Sequence, residues 1–106
     1  MLDKVFGKKK KETNKNSNQI NFEYGVEYIE KKEFEPAIES FKRCIDVNPE
    51  DSKAFVGLCI AYSGLMDLET AREYYNELKD IDPYLAAQLA NTQTGLLLDE
   101  NKENEM

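Results

Sequence analysis

The stretch EPAIESFKRCIDVNP, residues 35–49, returns 34 residues later as ETAREYYNELKDIDP, residues 69–83. Glu35 aligns with Glu69, Ala37 with Ala71, Glu39 with Glu73, Phe41 with Tyr75, Asp46 with Asp80 and Pro49 with Pro83; upstream, Tyr28 aligns with Tyr62. A fixed interval of this length marks a repeated unit. Within each copy the apolar residues fall three and four apart, as Ala37, Phe41, Cys44 and Ile45 do and as Ala71, Tyr75 and Leu78 do. That spacing describes one face of an α-helix. Pro36 sits in the first turn, where a missing N–H is harmless. Pro49 and Pro83 end the pattern, because proline disfavours helical geometry for the residue before it.

Each of these helices follows another. Ile20, Tyr24, Tyr28 and Ile29 set a helical period that stops near Lys31-Lys32-Glu33, and Phe55, Leu58, Cys59, Tyr62 and Leu65 set the next. Asp51 or Ser52 is placed to cap the second of these, and Asp67 to cap the helix that follows it, since short oxygen-bearing side chains satisfy the free amides of a helix start. A fifth helix is expected over roughly Tyr84 to Leu98, with apolar Leu85, Leu89 and Leu96 diluted by Gln88, Asn91, Gln93 and Gly95. It closes the array rather than extending it. The expected organisation is a flexible basic arm (1–17), two helical hairpins (18–51 and 52–85), a capping helix (84–98) and an acidic polar tail (99–106). One hairpin cannot bury its own apolar face, so the copies must stack.

Composition narrows the function. With 106 residues, 41% of them hydrophobic, the chain has room for one small domain. The formal net charge is -7, which disfavours nucleic acid as a main partner. Residues 1–16 run against that sign, with Lys4, Lys8, Lys9, Lys10, Lys11 and Lys15 against Asp3 and Glu12. The chain has no histidine, and its two cysteines, Cys44 and Cys59, are too far apart in sequence for a C-x-x-C pair. A metal site lacks its usual ligands, and buried free thiols in a reducing cytoplasm are expected. No glycine-rich phosphate loop and no nucleophile elbow is present, so neither catalysis nor a cofactor is expected. No apolar run is long enough for a membrane span, and a cytoplasmic location is expected.

The repeat resembles the tetratricopeptide family. In the first copy Tyr24, Gly25, Tyr28, Ala37, Phe41, Cys44 and Pro49 occupy the family's aromatic, small and proline places, with Asn21 where a large apolar residue is usual; in the second, Phe55, Leu58, Cys59, Tyr62, Ala71, Tyr75, Leu78 and Pro83 do so. The resemblance implies an all-α fold, two helix-turn-helix hairpins stacked as a short right-handed α-solenoid with a fifth, capping helix. It also implies a concave groove that holds a peptide, lined by the first helix of each hairpin. The residues at groove places are Phe22, Val26, Ile29, Val56 and Ile60, with Gly57 and Gly64 leaving room for a ligand backbone and Lys53, Gln19 and Asn91 as polar contacts. Family members that grip a terminal carboxylate do so with Lys, Asn and Arg, and of the matching places here, Phe22, Val26, Gly57, Ala87 and Asn91, only Asn91 keeps such a group. The implied ligand is therefore an apolar or amphipathic segment of a protein partner.

Two alternatives stay open at the level of sequence. The groove or the end of the array could instead join two copies of the chain into a homodimer. Met1, Leu2, Val5 and Phe6, followed by the lysine run, also suit weak contact with an anionic membrane, or a return of Val5 and Phe6 into the groove.

Overall fold

A computed structural model describes residues 17–98 of the chain, and the basic arm ahead of Ser17 and the tail at 99–106 lie outside the described residues. Two hairpins are built from four helices of nearly equal length: α1 (Ser17–Glu30), α2 (Phe34–Val47), α3 (Ser52–Gly64) and α4 (Leu68–Ile81). Each helix packs on the next, and α3 also touches α1. The fold is all-α, a short stack of sequential hairpins.

The tight turns inside the hairpins repeat to the residue. Lys32 and Met66, 34 positions apart, are the two non-glycine residues with positive φ among the described residues, at 62° and 63°. The Glu33 N–H donates to Tyr28 O at 2.8 Å and the Lys32 N–H to Ile29 O at 2.9 Å. In the second turn the Asp67 N–H donates to Tyr62 O and the Met66 N–H to Ser63 O, both at 2.9 Å. This paired closure satisfies the last carbonyls of α1 and α3 and needs one left-handed residue. The helix starts are capped by aspartates: Asp51 accepts from the Ala54 N–H and Asp67 from the Thr70 N–H, both at 3.3 Å.

Two apolar clusters hold the stack. Ala37, Ile38, Phe41 and Cys44 of α2 pack against Ala54, Leu58 and Ala61 of α3, joining the first hairpin to the second. Phe55, Cys59, Ala71 and Leu78 join the second hairpin to Ala86, Leu89 and Leu98 of the closing segment. Ala37 and Ala71 are fully buried at equivalent places, where only a small side chain lets the paired helices approach. Tyr74 shields the stack: its ring lies flat on Tyr62 (5.7 Å, 15°) and tilted against Phe55 (5.9 Å).

The closing segment departs from the single helix expected over 84–98. It consists of α5 (Pro83–Ala90) and α6 (Gln93–Leu98), broken at Asn91 and Thr92. Thr92 explains the break: its Oγ1 donates to Leu89 O at 2.6 Å and accepts from the Gly95 N–H at 3.2 Å, ending one helix and capping the next. Asp82 caps α5 by accepting from the Leu85 N–H at 3.0 Å, with Pro83 in the first turn. The reversal returns α6 to α4, where Arg72 donates to Leu97 O and Leu98 O, both at 3.4 Å.

Candidate functional site

The break at Thr92 shapes a cleft of about 360 Å³ between α3 and the closing segment. Its floor is Val56 and Ile60 of α3 with Leu85 and Leu89 of α5, and its rim is Gln88, Thr92, Gln93 and Thr94. Among the described residues no charged side chain lines it. Floor residues come from two elements, because α5 runs alongside α3 and sends Leu85 and Leu89, one helical turn apart, toward the Val56/Ile60 stripe. Such a lining excludes a bare charge and suits apolar groups, with amide and hydroxyl edges left for a ligand backbone.

The groove places expected from sequence divide into three groups. Val56 and Ile60 meet in the cleft, half-buried. Phe22 and Ile29 are half-buried against the first apolar cluster, and Phe22 sets its ring edge-on to Phe41 at 5.7 Å and 62°. Val26, Lys53 and Gln19 are exposed and outside the cleft lining. Asn91 is likewise exposed and outside it; its backbone N–H closes α5 onto Gln88 O at 3.2 Å.

The glycines require a correction. Gly57 and Gly64 are not openings for a ligand backbone, because aromatic rings of the protein fill those spaces. A Cβ at Gly57 would lie 2.4 Å from Phe41 Cζ, and one at Gly64 2.4 Å from Phe34 Cζ. Their smallness serves helix packing. Leu85, Gln88, Leu89, Thr92, Gln93 and Thr94 were missed as site residues, since the closing segment reads from sequence only as a cap. The Thr92 to Gly95 spacing, a hydroxyl followed three residues later by a residue without a side chain, was the available signal.

The thiols take no part in the cleft. Cys44 and Cys59 are free and buried, and the Cys59 Sγ–H points to Ala71 O at 3.7 Å. Burial pushes the Cys59 thiol up to about 12, and burial together with the Asp51 carboxylate pushes the Cys44 thiol up to about 11. Neither offers a thiolate near neutral pH. Among the described residues no group of Cys, Asp and Glu is arranged to hold a metal ion, and no helix is long and apolar enough to cross a membrane.

Residues 19–51 fit the family model of the tetratricopeptide repeat, which spans α1, α2 and the turn into α3. No curated protein matches the chain. A domain of this kind is in general a protein-interaction module and typically non-catalytic. Matched hairpin, stacked second hairpin and turns that repeat at the same interval together identify the chain as carrying a tetratricopeptide repeat within an all-helical repeat fold.

Proposed function

We propose that the protein is a non-catalytic adaptor that holds a short apolar or amphipathic segment of a partner protein in the cleft floored by Val56, Ile60, Leu85 and Leu89. One observation carries this reading: the cleft joins four aliphatic side chains under a rim of neutral amides and hydroxyls. Two or three aliphatic or aromatic side chains of a partner would fill it, and the rim would meet the partner's backbone. The module lacks the charged clamp of carboxylate-gripping relatives, so the ligand would be recognised along its side chains rather than at its end. The chain's net charge of -7 favours basic residues flanking the apolar core of the ligand.

Selection from a displayed library of random peptides tests this directly. Sequences enriched against the full chain should share two or three closely spaced apolar residues, and a Val56→Glu/Ile60→Glu variant of unchanged helicity should lose them. Enrichment of anionic C-terminal sequences, or equal binding by the double variant, would overturn the reading.

A further inference from the structure

The first hairpin has a second cavity, remote from the cleft, and the second hairpin shows what belongs in it. It measures about 400 Å³ and is lined by Asn21, Tyr24, Tyr28, Pro36, Glu39, Ser40 and Arg43. Moving each by 34 residues brings Phe55, Leu58, Tyr62, Thr70, Glu73, Tyr74 and Glu77 to the same places. There the space is occupied: the Tyr74 ring lies on Tyr62 and against Phe55. In the first hairpin the residue equivalent to Tyr74 is Ser40, so the cavity is the room left by one absent aromatic ring.

The adjoining face is uncovered for a second reason, because among the described residues no preceding helix lies on α1 as α2 lies on α3. Tyr24 is 53% exposed and Ile20 is 40% exposed, whereas their equivalents Leu58 and Ala54 are both 0% exposed beneath α2. An uncovered apolar face beside a cavity walled by two tyrosines and an arginine calls for an aromatic side chain.

We propose that Phe6, the aromatic residue of the chain's own leading segment, occupies this cavity and takes the place that Tyr74 holds in the second hairpin. Residues 1–16 lie outside the described residues, and three features of their sequence and setting support this occupant. Reach is ample: ten residues lie between Phe6 and Ser17, and the eleven steps from one to the other span up to about 36–40 Å, whereas the cavity lies within about 17 Å of Ser17 along α1. Met1, Leu2 and Val5 accompany Phe6 and match the exposed Ile20 and Tyr24. The lysine run 8–11 would pass a helix, α1, that carries Glu23, Glu27 and Glu30 and no basic residue, with Glu27 paired to Lys31 at 3.7 Å and Glu39 beside Arg43 in the cavity wall. This site is separate from the partner cleft, and neither proposal depends on the other.

The chain has no tryptophan, so Phe6→Trp installs a single indole reporter. In the full chain its emission should be blue-shifted relative to the urea-unfolded protein, independently of protein concentration. Ser40→Tyr, which fills the cavity from within, and Tyr24→Ser, which removes an exposed wall, should each return the emission toward that of solvated indole. Circular dichroism checks both backgrounds, and Tyr24→Ser decides alone if Ser40→Tyr fails to fold. Solvent-like emission in the starting variant would overturn the proposal. So would a blue shift that survives in the deciding cavity variants, which places Phe6 elsewhere, or one that grows with concentration, which places it on a second copy.

Discussion

The ring of Phe41 lies where a side chain at Gly57 would be, so that a Cβ there would fall 2.4 Å from Cζ. The same end of the ring meets Gly25, where a built Cβ would lie 2.6 Å from both Cε1 and Cζ. One aromatic residue of α2 thus wedges between α1 and α3 and joins the two hairpins, and both neighbours must lack a side chain. Gly57→Ala should destabilise the protein by about 1–3 kcal/mol, the usual cost of overpacking, although alanine in a helix interior normally gains about 1 kcal/mol over glycine. Urea unfolding followed by circular dichroism measures it. Phe41→Leu introduced into the Gly57→Ala protein should recover part of the loss; an increase in stability from Gly57→Ala alone would contradict the wedge.

The paired turns make a prediction of opposite sign. Lys32 and Met66 hold left-handed backbone at φ near 60°, which costs an L-residue roughly 1–2 kcal/mol. Met66 is 67% exposed, so little packing is lost with its side chain. Met66→Gly should stabilise the fold by about 0.5–1 kcal/mol, because glycine's extra freedom in the unfolded chain offsets only part of the relief. Melting temperature should rise by several degrees, at about 4–8 °C per kcal/mol for a domain of this size. Lys32→Gly should act alike and additively, as the turns belong to different hairpins.

Much of this architecture was legible in the sequence because repetition doubles each signal. Ala37 and Ala71, or Tyr28 and Tyr62, each state the same packing rule twice. Gly57 escaped that check, since its equivalent in the first copy is Glu23 and the ring that covers it comes from sixteen residues upstream on another helix. A lone small residue on a groove stripe reads as an opening until its neighbour is known. The break at Thr92 was hidden differently: Leu85, Leu89 and Leu96 keep helical spacing straight across it, and only local hydrogen bonding reveals the reversal. The cleft followed the break out of view. Val56 and Ile60 are legible as its floor from their surplus apolarity, whereas Leu85 and Leu89 read from sequence as part of a closing helix.

Buried thiols give the fold a defined response to alkali. The Cys59 thiol rises from 9.0 to about 12 on burial, so above pH 9 the unfolded chain loses this proton while the folded chain keeps it. The folded state then binds more protons, and stability falls with rising pH. This contribution is complete below pH 9 and declines from there toward pH 12. Cys59→Ala should therefore flatten the slope of unfolding free energy between pH 9 and 10.5 relative to the parent, measured by urea titration under reducing conditions. An unchanged slope would place the thiol in contact with water. Cys44 should act in the same direction over the narrower range up to about 11.

Gly95 links stability to the cleft. A Cβ at this residue would lie 2.3 Å from Leu89 O and 2.4 Å from Ala90 Cα, both backbone atoms that cannot rotate away. Gly95→Ala must therefore move α6 off the end of α5, and the movement stretches the Thr92 bridge, whose Oγ1 links Leu89 O at 2.6 Å to the Gly95 N–H at 3.2 Å. Leu89 and Thr92 both line the cleft, so its floor and rim shift together. The clash lies within the closing segment, so the helices of the two hairpins and the first cluster should persist, while Leu89 and Leu98 shift at the edge of the second cluster. Peptides selected against the parent should bind Gly95→Ala at least several-fold more weakly, while far-ultraviolet circular dichroism keeps most of its helical signal. Thr92→Val, which removes the bridge without adding bulk along the helix axis, should weaken the same peptides in the same direction. Loss of binding by both variants with retained helicity would assign recognition to the geometry of the α5–α6 turn; full binding by both would move the site away from it.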